Sequence, residues 1–200
     1  MAVFEAYSDE AGVADPAGEF LISGYVADQN EWPWVTRAWQ DRVLDGTPKL
    51  PYLHMTKIRS EQWRQRHGIS FNESEERVAE AVRVLRSMGA LSALCSVIKR
   101  GDLETAIHSK FEQKKQVPIG LDEPDYLCFV AHAAFVLGEV SKKYPDASRV
   151  NFVVSRKQKV THHLNETVKW MKQNFNEVYP AIAPLFGDLR PGSMELELQL

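Results

Sequence analysis

The sequence predicts an α/β fold: a mixed sheet, opened by an antiparallel hairpin and flanked by helices. Extended apolar runs at residues 2–8 and 19–27 are separated by the turn residues Asp15 to Gly18, which predicts the hairpin. Segments with apolar residues at helical spacing follow. Strand-like runs return at residues 90–98 and 149–154. Alternation of helices with strands of this kind is typical of an α/β protein.

Chain length, composition and cysteine positions limit the number of domains and predict the cellular compartment. A chain of 200 residues, 44% apolar and 26% charged, is large enough for one domain over residues 1–200. The sequence shows neither a signal peptide nor an apolar run of the ~20 residues that a membrane span needs. Cys95 and Cys128 lie in apolar runs, which predicts buried thiols in a reducing cytoplasm.

The first helix is predicted after the hairpin. Asn30 is expected to cap it, and Pro33 suits its first turn. Trp32 and Trp39 recur at helical spacing, so we expect them to anchor the helix to the sheet rather than to stack on bases. Exposed tryptophans would instead indicate a protein-binding surface.

Capping residues and apolar periodicity also predict a helix near Asn72 and a strand at residues 90–98. Asn72 is expected to cap a helix with Glu75 as its capping-box partner. Val82 falls on the stripe expected to be buried, and Arg77 falls on the face expected to be solvated. The strand at residues 90–98 barely alternates, which predicts burial of both of its faces.

The longest helix is expected to begin at Asp122, with Pro124 near its start, and to run to about residue 140. It is apolar nearly all round, so it should lie deep in the fold. His132 within it is therefore expected to be a core histidine with hydrogen-bond partners. A further helix is expected from Thr161 onwards.

Two adjacent carboxylates, Asp9 and Glu10, end the first strand. Carboxylates at a strand end are hard oxygen ligands that suit Mg²⁺ or Mn²⁺. Strand side chains alternate between faces, so we expect Asp9 to be the ligand and Glu10 to support it or bond the turn. From these residues alone, a polar turn after the strand is the simpler explanation of the motif.

The residues from Tyr7 to Gly12, with the run from Phe20 to Val26, resemble the start of the bacterial domain of unknown function 3800 family. The resemblance implies an RNase H-like fold and metal-dependent nuclease or related phosphodiester chemistry. It implies catalytic roles for Asp9 and Glu10. His54, in a segment similar to the family's histidine-bearing one, would bind metal, move a proton or contact phosphate. The alternative is a histidine hydrogen-bonded at a strand end.

Phosphodiester hydrolysis on such a sheet needs two divalent ions ~4 Å apart, held by several carboxylates. Asp9 would bridge them. Asp188, which follows an apolar run, is the predicted second metal ligand, and Glu195 and Glu197 are further candidates.

The chain departs from the family pattern at two places. Ser155 stands where that strand end commonly carries an acid. The last residues, Leu198 to Leu200, resemble the beginning of a closing Leu-Gln-x-Ala-Asp motif whose aspartate is not among the 200 residues. Either the natural chain is longer, or a catalytic acid is lacking. The second reading makes the protein a catalytically degenerate module that binds nucleic acid or a protein.

Two basic stretches are candidate nucleic-acid contacts. The overall charge of −3 offers no attraction for phosphate, so a local patch is needed. Basic residues interleaved with an aromatic can grip a single strand, and ordinary solvated surface is the alternative. The candidate contacts are Arg64 and Arg66, which follow Trp63, and Arg156, Lys157 and Lys159, which follow the strand at residues 149–154.

The sequence leaves substrate and oligomeric state open.

Overall fold

The computed structural model divides into two compact units. The first, here the sheet unit, comprises Met1–Val26 and Ser92–Ser193; the second, here the helical unit, comprises Ala27–Leu91 and Met194–Leu200. Whether the units make up one domain stays a prediction. The structure describes residues 2–11, 18–87, 92–110, 124–155, 171, 173–174, 176–177 and 179–192.

A five-stranded mixed sheet forms the sheet unit, so the predicted α/β class is confirmed. The strand order is β3-β2-β1-β4-β5, and the two strands of the predicted hairpin are neighbours. β2 pairs antiparallel with β3, whereas β1 pairs parallel with β4 and β4 pairs parallel with β5. The strands are β1 (Ala2–Ala11), β2 (Glu19–Asp28), β3 (Ser92–Lys99), β4 (Ala147–Ser155) and β5 (Phe186–Gly192).

One face of this sheet carries the core. Alternate residues of β1 and β4 are buried there, as the period of two requires: Phe4, Ala6 and Ser8 on β1, and Val150, Phe152 and Val154 on β4. The long helix α6 (Pro124–Lys143) contributes its own buried residues to the same cluster, as its apolar sequence predicts. Each fully buried residue contributes ~1.5–3 kcal/mol. The core includes Phe4, Ala6, Ile22, Val136, Leu137, Val150, Phe152 and Met171.

The prediction that the strand at residues 90–98 is buried on both faces is wrong. β3 is the first strand in the sheet order, and its residues alternate between half-buried and exposed. Leu94 and Ile98 pack against the core, while Cys95 and Val97 are exposed on the other face. Cys95 is therefore not the buried thiol that its apolar neighbours suggested; Cys128 is buried.

The helical unit consists of short helices. Trp32, Val35 and Trp39 are buried, as expected, whereas Trp34 is exposed. The first helix ends in a π-helical turn, and both lie against α4. The helices are α1 (Trp32–Trp39), the π segment Gln40–Leu44, α2 (Met55–Ile58), α3 (Glu61–His67) and α4 (Phe71–Arg86).

The predictions that Asn30 and Asn72 cap helices are wrong, because the N-cap residues of α1 and α4 are Glu31 and Ser70. Asn30 precedes the cap position of α1, and its backbone and side-chain N–H groups donate to Asp28 Oδ1 at 2.9 and 2.8 Å. α4 is capped by Ser70, which accepts from the Glu73 backbone while Glu73 accepts from Ser70. Asn72 lies inside that helix, because the capping box two residues earlier satisfies more of its first N–H groups.

Two further elements belong to the sheet unit. The helix α5 (Arg100–Lys110) follows β3. The apolar run before Asp188 contains a 3₁₀ turn, Ala183–Leu185, that leads into β5. The predicted caps Asp122 and Thr161 lie outside the described residues. No helix in the described part of the chain is long and apolar enough to cross a membrane.

Arg77 is buried, which corrects its expected place on a solvated face. Its guanidinium donates to the carbonyls of Val43 at 2.8 Å and Pro48 at 3.0 Å. A Cβ added at Gly46 would lie 2.0 Å from that guanidinium, so a larger residue there would displace Arg77. Val82, expected to be buried, is 42% exposed, because the buried stripe passes instead through Arg77, Ala81 and Val84.

We expect Arg77→Met to lower the free energy of unfolding by about 2–4 kcal/mol, because two buried carbonyls lose their donors. Arg83→Met, which removes an exposed arginine of the same helix, should cost under about 1 kcal/mol. Urea unfolding of both variants measures the difference. Equal decreases in the free energy of unfolding for the two variants would contradict the conclusion that the hydrogen bonds of Arg77 stabilise the helical unit.

Candidate functional site

The carboxyl ends of three parallel strands meet at one edge of the sheet. Ser8 of β1 pairs with Val154 of β4, so one further step places the Asp9 backbone beside Ser155. Ser155 in turn pairs with Gly192, the last residue of β5. Ligands of α/β sheets bind outside the carboxyl ends of such strands. This edge is the candidate functional site.

The pleat of β1 decides which way Asp9 faces. Phe4, Ala6 and Ser8 are buried on the core face. Successive strand side chains alternate, so Asp9 belongs to the opposite face, where it is exposed. The carboxylate of Asp9 is therefore on the solvent-exposed face of β1.

Behind Asp9 lies a buried polar network. His132 of α6 is 1% exposed, and its Nε2 lies 3.0 Å from Ser8 Oγ. Its Nδ1 lies 3.3 Å from Ser96 Oγ on β3. Burial lowers the pKa of His132 to about 4, so the imidazole is neutral at pH 7. The expectation of a core histidine with hydrogen-bond partners is confirmed.

The network does not form a serine-nucleophile site. Ser8 is 8% exposed and His132 is buried beneath it, so a substrate has no route to the hydroxyl. The second nitrogen of His132 faces Ser96, a neutral group that cannot stabilise an imidazolium as a carboxylate does. The hydrogen bonds therefore hold β1, β3 and α6 together.

Gly24 makes room for this arrangement. A Cβ at that position would lie 2.1 Å from the Tyr7 carbonyl oxygen and 2.6 Å from Ser8 Oγ. Any side chain at Gly24 would push β1 away at the point where it carries Asp9. The close backbone approach that a glycine inside a strand suggests is thus observed.

Asp188, the second predicted metal ligand, is engaged elsewhere. Its carboxylate forms a salt bridge with Arg149, and its backbone N–H donates to Asn151 Oδ1 at 3.1 Å. Asn151 pairs with Glu5, four residues before Asp9, which is about 13 Å along the strand. The structure therefore does not bring Asp188 to the same ion as Asp9.

His54 belongs to the helical unit, whereas Asp9 belongs to the sheet unit. It caps α2 with an extended backbone, and its Nδ1 lies 2.9 Å from Thr56 Oγ1. The hydrogen bond holds the ring at the start of the helix. The histidine is hydrogen-bonded as in the structural alternative, but it lies at the start of a helix and not at a strand end. The metal, proton-transfer and phosphate roles stay predictions.

The first basic stretch forms α3, also in the helical unit. Arg64 donates to the carbonyls of Ile58 at 3.2 Å and Arg59 at 2.7 Å, so it braces the end of α2. Arg66 is exposed. Trp63, the aromatic that precedes them, is only 7% exposed and is no stacking surface.

Several candidates lie outside the described residues. Among the residues that the structure does describe, no group of three His, Cys, Asp or Glu side chains could hold a metal ion. A ligand set around Asp9 would thus have to draw on positions beyond them. Those candidates are the side chain of Glu10, Arg156, Lys157 and Lys159, and the acids Glu195 and Glu197.

Sequence reasoning missed the roles of Ser8, Ser96 and Phe71. The serines could have been sought, because a buried histidine in an apolar helix must find polar partners. Phe71 is the most exposed large apolar side chain of the described residues, at 59%. No pattern marked it, because exposure at the first position of a helix depends on neighbouring elements.

Comparison with known proteins adds little. No family model matches the chain, including that of the family its first motif resembles. No curated protein matches its sequence. Among solved structures, RNase H3 of Aquifex aeolicus aligns with a TM-score of 0.35 and 16% identity. The alignment covers 96% of this chain and 50% of that one, so the chain spans half the length of this neighbour.

The buried His132 predicts a pH-dependent stability. Above pH ~6.5 the imidazole is mainly neutral in both the folded and the unfolded state. As the pH falls towards 4, His132 binds a proton in the unfolded state but stays mainly neutral in the folded state. His132 should therefore cost about 3 kcal/mol of stability by pH 4. Urea unfolding of wild type and His132→Gln between pH 7.5 and 4.5 should show the smaller pH dependence in the variant. Superimposable pH profiles would contradict the assignment.

Proposed function

We propose that this protein is a divalent-metal-dependent nuclease or phosphodiesterase acting on nucleic acid, with Asp9 as a metal-binding carboxylate. The observation that carries the proposal is the place of Asp9: exposed, at the carboxyl end of β1, beside the end of the parallel strand β4.

The topology supports the same reading. The motif from Tyr7 to Gly12 implies an RNase H-like sheet. The observed strand order, with three parallel strands on one side and an antiparallel pair on the other, agrees with that fold class. Fold alone does not assign a reaction, so the proposal depends on Asp9.

The proposed ion is Mg²⁺ or Mn²⁺, because both prefer carboxylate oxygen. Asp9 alone does not make a site, and the described residues contain no complete ligand set. The remaining ligands would come from the side chain of Glu10 and from Glu195 or Glu197, which the sequence nominates. A bound ion would supply an activated water and offset phosphodiester charge.

His54 is the proposed proton-transfer or phosphate-contact residue. Its Nδ1 is engaged with Thr56, which leaves Nε2 as the atom for either role. The cations Arg64, Arg66, Arg156, Lys157 and Lys159 are proposed to attract the phosphate backbone. A bacterial cytoplasmic location stays a prediction.

A second candidate function is supported by Ser155. The last residue of β4 is Ser155, at a strand end that commonly carries an acid in the family that the first motif resembles. The alternative is a degenerate module that binds nucleic acid or a protein without cleaving it. In that case nucleic-acid binding persists in EDTA and weakens with salt.

Asp9→Asn should reduce metal-dependent cleavage of RNA or DNA by at least about 100-fold, since even a residue that only orients a metal ligand contributes about 10- to 100-fold. The matched control is Asp146→Asn, which alters an exposed aspartate at the opposite end of β4. Cleavage with Mn²⁺ and Mn²⁺ titration by electron paramagnetic resonance measure activity and affinity separately.

Unchanged cleavage by the Asp9→Asn variant would overturn the nuclease assignment. Absence of cleavage by the unaltered full-length protein, with EDTA-resistant binding, would establish the degenerate module instead.

A further inference from the structure

We propose that the helical unit binds single-stranded nucleic acid on a surface formed by Lys57, Arg59, Arg66 and Phe71, with a base stacking on the Phe71 ring. The inference rests on the proposed nucleic-acid partner and deepens it, because it names strandedness and an aromatic contact. It does not depend on cleavage.

The local charge suits phosphate. Between Lys57 and His67 the chain carries four cationic side chains and one carboxylate, although its overall net charge is −3. Arg59 and Arg66 are exposed, and within the part of the chain that the structure describes neither forms a salt bridge. When such cations neutralise phosphates, the counterions condensed on the nucleic acid are released, which favours binding.

Phe71 supplies the aromatic surface. It is the first residue of α4 and is 59% exposed, which leaves much of the ring uncovered. The Arg64 guanidinium lies 5.4 Å from its centre, and Arg64 is itself held by the carbonyls of Ile58 and Arg59. The hydrogen bonds of Arg64 therefore hold a cation next to the Phe71 ring.

The other aromatic residues of this region have structural roles. Trp63 stacks on His67 with ring centres 4.0 Å apart, and its indole N–H donates to Tyr52 at 3.3 Å. Lys57 donates to the same phenol at 3.1 Å; this bond first, and that of Trp63 second, lowers the pKa of Tyr52. Phe71 is thus the ring offered to a ligand.

The arrangement favours a single strand over a duplex or a peptide. Bases in a duplex already stack on one another, whereas a single strand can place one on an exposed ring. An acidic peptide would also be attracted by the cations, but its carboxylate side chains cannot stack on the Phe71 ring as a nucleobase can. An acidic peptide is therefore kept as an outcome of the test.

The test uses the full chain with Asp9→Asn, in EDTA, so that cleavage cannot interfere. Fluorescein-labelled oligo-dT and oligo-U of about 20 nucleotides are titrated by anisotropy. Phe71→Ala should weaken binding about 5- to 150-fold, and Phe71→Trp should retain it. Val82→Ala, the matched loss of an exposed apolar residue of α4, should leave binding unchanged.

A second set of variants tests the charges. Arg66→Gln should reduce the slope of log affinity against log salt by about 0.7, as expected for one phosphate contact on a single strand. Arg86→Gln removes the same charge from an exposed position at the far end of α4 and should leave the slope unchanged.

Three results would overturn the proposal: no binding to either oligonucleotide, equal effects of Phe71→Ala and Val82→Ala, or Phe71-dependent binding of polyglutamate in preference to oligonucleotides. If Phe71→Ala does not fold, Phe71→Leu keeps an apolar side chain without the ring. Absence of cleavage by the unaltered protein, with Phe71-dependent binding of the oligonucleotides, would overturn only the nuclease proposal. Asp9-dependent cleavage without Phe71-dependent binding would overturn only this surface.

Discussion

The hydrogen bonds of one buried histidine hold the candidate site together. His132 joins α6 to β1 through Ser8 and to β3 through Ser96, two strands that β2 separates in the sheet. A buried polar group without a partner is costly, so this contact specifies the register of β1. With Ser8 inward, Asp9 must point outward. A slip by one residue would bury the carboxylate against an apolar helix.

The two units carry different chemistry. The sheet unit presents a carboxylate at the end of a central strand, which suits a cation. The helical unit presents Arg59 and Arg66 with an exposed ring at Phe71, which suits phosphate and a base. Each surface follows from local structure: the pleat directs Asp9, and the bonds of Arg64 to α2 fix the cation beside the ring.

Misplaced residues show where sequence reasoning stops. Arg77 was expected at the surface because its charge is usually solvated, yet two backbone carbonyls compensate for its burial. The strand at Ser92–Lys99 was expected to be buried because it is apolar, yet it lies at the end of the sheet order. Trp63 was the predicted stacking residue because it lies between two arginines, yet it is buried at 7% exposure, whereas Phe71 is 59% exposed. In each case the deciding partner is distant in sequence or on another element.

The amino-acid sequence by itself determined the α/β class, the positions of β1 to β4 and of the longest helix, and the acid near the end of β1. These follow from short-range periodicity and turn chemistry, which adjacent residues carry. Only the tertiary structure decided that Asp9 faces away from the core, that Asp188 pairs with Arg149 about 13 Å along the sheet from it, and that Ser8 and Ser96 share one imidazole. Strand order and packing bring such groups together across the chain, and no local pattern records that order.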